Sequence, residues 1–224
     1  IALVWHRAPD RTYRDAFLPG LLEGISRAAR RYGYHVLFRP VAIDEADGSY
    51  VELVRGRYTD GLILSGPRCD DAYVRDLHEE GFPIVLHGRL GDTVIPSVDV
   101  DNVRGAMTAV DHLLALGHRG IGMITNAPLA YAASRQRLEG YRRALEKAGL
   151  SYREAWVRQG NFDEESGCAA IRELLALDEP PGAVFIASDM VAMGALRALH
   201  EKQVRVPDQM AIVGFDDITA ARFI

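Results

Sequence analysis

The 224-residue sequence has little cysteine, no excess of basic residues and no long apolar run. Its two cysteines, Cys69 and Cys168, are too few and too far apart for a disulfide framework or a clustered metal site, and they suit reduced thiols in the cytosol. Lys and Arg total 26 against 31 Asp and Glu, and a net charge of −5 argues against direct nucleic-acid binding by this segment. No stretch approaches the ~20 apolar residues of a transmembrane helix, and the start at Ile1 lacks the basic flank of a secretory signal. We therefore expect a cytoplasmic chain with no membrane partner.

Sequence motifs for catalysis and for nucleotide binding are also missing. There is no GxxxxGKS or GxxxxGKT phosphate loop, no HExxH zinc motif and no GxSxG nucleophile elbow. The glycines from Gly117 to Gly122 precede a strand, whereas a dinucleotide-binding turn has to follow one. We therefore expect no cofactor, no metal ion and no enzyme activity, and binding is favoured over catalysis.

Short apolar strands alternate with amphipathic helices along the whole chain. In the helix that begins near Leu18, apolar residues recur at spacings of three and four, and Gly33 follows where a helix end favours left-handed backbone. Such alternation predicts an α/β fold with parallel sheets covered by helices. The number of strand–helix units predicts two doubly wound lobes, 1–118 and 119–224, and the chain looks truncated at both ends.

Four local predictions can be compared directly with the structure. Pro40 is expected to end the second strand, because proline has no N–H to donate to a neighbouring strand. Asn102 is expected to cap a helix. Arg135 and Ala192 are expected to lie at the starts of two further helices.

Polar side chains follow most of the predicted strands, at the edge where open parallel sheets bind ligands. Carboxylates, amides, hydroxyls and an aromatic ring together suit a polyhydroxylated ligand, because they accept and donate to hydroxyl groups and stack on a C–H face. The residues at these strand ends are His6, Ser65, His87, Arg89, Asp99–Asn102, Thr125, Asn126, Phe162, Ser188, Asp189, Asp216 and Asp217.

Three longer stretches carry a family resemblance. They are HLLALGHRGI at 112–121, SDMVAMGALR at 188–197 and VPDQMAIVGFDD at 206–217, supported by 60–64, 100–102 and 135–141. In order and spacing they resemble the LacI/GalR family of bacterial transcription regulators. The resemblance implies a periplasmic-binding-protein-like core of type I that binds a sugar or similar effector between two lobes and forms a homodimer. It also implies a repressor that binds operator DNA through a helix-turn-helix domain absent from this chain.

The resemblance also implies roles for individual residues. Arg135 matches an effector-contacting arginine, Asp216 an aspartate that accepts sugar hydroxyls, and Phe162 an aromatic that stacks on the ligand. Asp189 and Ser188 match a neighbouring pair of that family in which many members have Asn in place of this serine. The remaining matches, assigned to the N-terminal lobe, are His6, Phe17 and Asn102.

Structural alternatives remain open for several of these residues. Asp189, Asp216 and Asp217 could cap a helix or a turn, and Phe162 could be a core aromatic. At the level of the whole chain, the alternative is a periplasmic sugar-binding protein of an ABC transporter, which has the same fold. An α/β enzyme is a third reading, and it lacks a nucleophile–base pair.

Overall fold

The computed structural model describes residues 1–6, 12, 15–41, 50–91 and 93–223. They form two units, the first comprising Ile1–Val100 with Ala130–Ala133 and the second Asp101–Leu129 with Ser134–Ile224. Both units are parallel α/β structures, as the alternation of strands and helices predicts. None of the described helices is both long and apolar enough to cross a membrane.

The first unit contains a parallel sheet of five strands in the order β2-β1-β3-β4-β5. Every residue of β1 is buried, because the strand is paired on both sides, and its apolar run supplies the centre of the core. The elements are β1 (Ala2–His6), α1 (Leu18–Arg31), β2 (Leu37–Val41), α2 (Val51–Arg55), β3 (Leu62–Ser65), α3 (Ala72–Glu79), β4 (Ile84–His87) and β5 (Ser97–Val98).

The second unit contains a parallel sheet of four strands in the order β7-β6-β8-β9. The two central strands, β6 and β8, are buried throughout, and helices from both faces cover them. The elements are α4 (Asn102–Ala115), β6 (Ile121–Ile124), α5 (Ala132–Lys147), β7 (Val157–Arg158), α6 (Glu164–Leu175), β8 (Ala183–Ile186), α7 (Asp189–Glu201) and β9 (Ala211–Val213).

The structure divides the chain earlier than the expected boundary at residue 118. Helix α4 belongs to the second unit, because its buried residues Ala106, Val110 and Leu113 join the same apolar cluster as Ile121 of β6. Asn102, at the start of this helix, therefore belongs to the second unit and not to the N-terminal lobe to which the resemblance assigned it.

Several element ends also differ from the expected ones. Pro40 lies inside β2, which tolerates it because β2 is an edge strand that pairs on one side only. The cap of α4 is Asp101, whose side chain accepts a hydrogen bond from the Arg104 N–H, so Asn102 is the first helical residue. Helices α5 and α7 each begin three residues before the expected starts.

Candidate ligand-binding site

The order of the strands fixes where the second unit can bind a ligand. From β6 the chain passes to β7 on one side of the sheet and later to β8 on the other, so the winding direction changes between β6 and β8. In open α/β sheets, ligands bind beyond the carboxyl ends of the strands at such a change. Thr125 and Asn126 follow β6 at this edge, and Ala187, Ser188 and Asp189 follow β8.

A buried arginine, Arg137 of α5, lies at this edge of the sheet. Its Nε donates to Oδ1 of Asn102 at 2.9 Å, and its Nη1 donates to the carbonyl of Ala187 at 2.6 Å. The same Nη1 lies 3.5 Å from Oδ1 of Asp216, and the guanidinium carbon is 3.9 Å from the ring centroid of Phe215. A buried charge is stable only when it is paired and hydrogen-bonded, and Arg137 has both kinds of partner.

Helical phase explains why Arg137 is buried whereas Arg135 is exposed. Arg137 precedes Tyr141 by four residues and Ala144 by seven, and both of these are fully buried on the core face of α5. Arg135 lies on the solvent side of the helix. The ligand role of Arg135 stays a prediction, and the structure joins Arg137, not Arg135, to Asn102 and Asp216.

The loop after β9 brings an aromatic ring and a carboxylate to Arg137. Asp216 and Asp217 both have left-handed backbone, with φ values of 104° and 53°. Such a conformation costs on the order of 1–3 kcal/mol per non-glycine residue and persists only where surrounding contacts hold it. The Phe215 ring also lies close to α4, where a Cβ on Gly105 would be 2.8 Å from its Cε2 atom.

Asp189 holds this loop. Its two carboxylate oxygens accept hydrogen bonds from the N–H groups of Phe215 and Ile218, each at 3.0 Å, and its own N–H donates to the Phe215 carbonyl at 2.8 Å. The neighbouring Ser188 is the N-cap of α7, and its hydroxyl makes no capping hydrogen bond. The effector contacts of Ser188 and Asp189 stay predictions.

Phe162 lies at the same edge of the sheet, after β7. Its N–H donates to the carbonyl of Asn126 at 2.7 Å, and its backbone is left-handed with φ 64°. Asn126 in turn accepts a hydrogen bond from the Ser134 hydroxyl at 3.1 Å. The stacking role of Phe162 stays a prediction, and the backbone bond fixes the segment that carries its ring.

In the first unit, His6 belongs to a buried polar cluster at the carboxyl ends of β1 and β3. Its Nδ1 lies 3.2 Å from the Ser65 carbonyl oxygen, and its Nε2 lies 3.9 Å from Oδ2 of Asp71. The Tyr50 hydroxyl donates to the Asp71 carboxylate, at 2.7 Å and 2.9 Å from its two oxygens. Burial, followed by the nearby Asp71 charge, raises the pKa of Tyr50 well above its ordinary value, so this hydroxyl stays a donor.

Phe17 is connected to the same strand ends. Its ring stacks on His87 with 5.6 Å between centroids and 15° between planes, and Nδ1 of His87 is 2.8 Å from the Ser65 hydroxyl oxygen. The sequence indicated Ser65 and His87 by their position after strands. It gave no sign of Tyr50 and Asp71, which meet only through the fold.

Nothing in the described ranges is arranged to bind a metal ion, since no three His, Cys, Asp or Glu side chains converge there. Cys69 and Cys168 are both free thiols. The second-unit site instead combines a guanidinium, a carboxylate, amide groups and an aromatic ring, which can donate to and accept from polar groups on a small molecule.

Two doubly wound parallel sheets with such groups at their carboxyl ends define a ligand-binding α/β protein of the periplasmic-binding-protein type. Comparisons with known proteins agree with this class. The chain is 37% identical over 227 residues to the HTH-type transcriptional regulator CelR of Thermobifida fusca, covering 99% of this chain and 66% of CelR. It is 31% identical over 211 residues to the HTH-type transcriptional repressor CytR of Escherichia coli, covering 93% of this chain and 62% of CytR.

A solved structure gives the same result. The transcriptional regulator CelR–cellobiose complex superimposes with a TM-score of 0.89 at 35% identity, covering 99% of this chain and 68% of that one. Residues 9–223 match the family described as periplasmic binding proteins and sugar binding domain of the LacI family. The chain belongs to this family. It spans less than two thirds of the length of the curated relatives it matches.

Proposed function

We propose that this chain is the effector-binding core of a LacI-type transcriptional regulator whose ligand is a neutral sugar. The family match extends over almost the whole chain, and the relatives named above are HTH-type regulators. These names favour a regulator over a binding protein that serves a transporter. We further propose that the chain binds its ligand without catalysis and acts in the cytoplasm as a homodimer, as expected from the sequence.

The observation that carries the sugar assignment is the balanced charge around Arg137. Its guanidinium has the Asp216 carboxylate 3.5 Å away, and it also donates to the neutral oxygens of Asn102 and Ala187. An anionic ligand would have to compete with Asp216 for the positive charge, whereas a hydroxyl group can donate to the carboxylate and accept from the guanidinium together. The pair is therefore suited to hydroxyl groups, as in cellobiose, the ligand named for the related structure.

The test is a calorimetric titration of the chain with cellobiose, with further neutral sugars and with glucose 6-phosphate. We expect saturable binding of a neutral sugar and weaker binding of the phosphate ester. Asp216→Asn should weaken the binding of the sugar at least tenfold, because a hydrogen bond to a charged group contributes roughly 1.5–3 kcal/mol. Arg135→Ala, measured beside it, tests the role that the family resemblance gives to that exposed residue.

Two results would contradict the proposal. One is that no neutral sugar in the panel binds, and the other is that Asp216→Asn binds as tightly as the parent chain. In the full-length regulator, ligand binding should change operator affinity by about 5–150-fold, which corresponds to a coupling of about 1–3 kcal/mol between the two sites. Fluorescence anisotropy with a DNA fragment selected by that protein measures this ratio.

A further inference from the structure

Asp189 is placed differently from an ordinary aspartate at a helix start. It is the first residue of α7 and is buried, and the hydrogen bonds of its carboxylate go to the loop after β9 and not to the first turn of its own helix. One oxygen accepts from the Phe215 N–H and the other from the Ile218 N–H. The carboxylate therefore connects the two sides of the loop that contains Asp216.

The loop fits closely around this carboxylate. A Cβ on Gly214 would overlap Oδ1 of Asp189, so only glycine allows this approach. Between the two bonded N–H groups lie Asp216 and Asp217, both of which have left-handed backbone. Because both N–H groups need an acceptor, a carboxylate satisfies them, whereas an amide offers one acceptor and turns an N–H donor toward the other.

The direction of Asp216 depends on this loop conformation. With the loop held as observed, the Asp216 carboxylate faces Nη1 of Arg137 and the Phe215 ring lies against the same guanidinium. Resting on the proposed function, we propose that Asp189 is a positioning residue of the sugar site, which orients Asp216 against Arg137 without itself contacting the ligand. This differs from the direct effector contact that the resemblance implies for Asp189.

A cycle of variants distinguishes positioning from direct contact. We expect Asp189→Asn to weaken cellobiose binding about tenfold, close to the loss in Asp216→Asn. The double variant should bind no more than about two- to threefold more weakly than Asp216→Asn alone, because the two side chains act as a unit. A direct contact predicts instead that the two losses multiply, and that result overturns the proposal.

The matched control is Tyr141→Phe. This change removes a buried hydrogen bond, from the Tyr141 hydroxyl to the Ile121 carbonyl at 2.7 Å, at the opposite end of the sheet. It should lower stability without changing the affinity for cellobiose. Equal losses of affinity in Asp189→Asn and Tyr141→Phe would mean that Asp189 acts only through general stability, which also overturns the proposal.

A measurement without ligand separates this proposal from the sugar assignment. In ¹⁵N NMR spectra of the ligand-free chain, Asp189→Asn should speed amide exchange at Phe215 and Ile218 about tenfold or more, and it should shift the Arg137 side-chain signals as Asp216→Asn does. Tyr141→Phe should leave both unchanged. If no neutral sugar of the panel binds the parent chain, the sugar assignment fails, while these signals still decide the positioning role. Unchanged Arg137 signals in Asp189→Asn overturn that role.

Discussion

Replacing Arg137 by methionine removes the charged group at the centre of the candidate site while keeping much of the apolar stem. The change deletes the hydrogen bonds to Asn102 and Ala187 and the contact with the Phe215 ring. A hydrogen bond to a charged group contributes about 1.5–3 kcal/mol, and a guanidinium on an aromatic ring about 0.5–2 kcal/mol. These terms do not add fully.

Breaking a buried ion pair from one side typically costs about 3–5 kcal/mol, because the remaining charge loses its partner. Asp216 has a side chain that is 20% exposed, so water partly compensates it, and we expect a loss near the lower end of that range. Arg135→Met is the matched control on the same helix. Since Arg135 is exposed, its replacement should change the free energy of unfolding by no more than about 0.5 kcal/mol.

Urea unfolding followed by the fluorescence of Trp156 measures this difference, because Trp156 lies in the second unit. Both variants are made in a Trp5→Phe background, which removes the tryptophan of the first unit from the signal. Equal destabilisation by the two methionine variants, or a loss below about 1 kcal/mol in Arg137→Met, would refute the reasoning that the buried guanidinium organises this site.

Three further predictions concern packing and pH. Gly140→Ala should destabilise the second unit by about 1–3 kcal/mol in urea unfolding, because a Cβ at this position overlaps a backbone carbonyl of α4. The control is Gly182→Ala, which should be nearly neutral because the space around Gly182 is open. Tyr50→Phe should destabilise the first unit by about 1–3 kcal/mol, since Asp71 loses a buried donor, and unchanged unfolding of that unit would contradict this. Burial raises the pKa of Tyr50 and of Tyr141 above 10.0, so the stability that these protonated hydroxyls provide is complete below pH 10 and is lost as the pH rises further. Urea unfolding should therefore show a steeper loss above pH 10 in the parent chain than in Tyr141→Phe.

The fold could be predicted from the sequence because its strands are short, apolar and bounded by glycine or polar residues. Strand β6 runs from Ile121 to Ile124 and strand β8 from Ala183 to Ile186, and each is a four-residue run of apolar residues, with one glycine in β6. These strands are buried on both faces and appear as short apolar runs, and their length distinguishes them from the longer amphipathic helices.

The features that could not be predicted depend on partners distant in the sequence. Pro40 is compatible with β2 only because that strand lies at the edge of its sheet, and strand order is not visible in the local pattern. Helix α4 packs with the strand that follows it, so residue 118, between the helix and that strand, does not mark the division between the units.

The site shows the same difference between local and long-range information. The position of Asp216 after a strand was visible in the sequence, and the structure pairs it with a buried arginine. The family resemblance assigned the effector contact to Arg135. The helical spacing of α5 instead places Arg137 on the same face as its buried apolar residues. Its bonds to Asn102 and Ala187 span 35 and 50 residues, and no local pattern indicates them.

The most direct test of the account is hydrogen–deuterium exchange of the chain with and without saturating neutral sugar, starting with cellobiose. We predict slower exchange in the segments that follow β6, β8 and β9, at residues 125–129, 187–190 and 214–218. The amino ends of the same strands, at 117–120, 179–182 and 205–210, should not change. Protection confined to the amino ends, or equal exchange everywhere with every sugar of the panel, would contradict a sugar site at the carboxyl ends of this sheet.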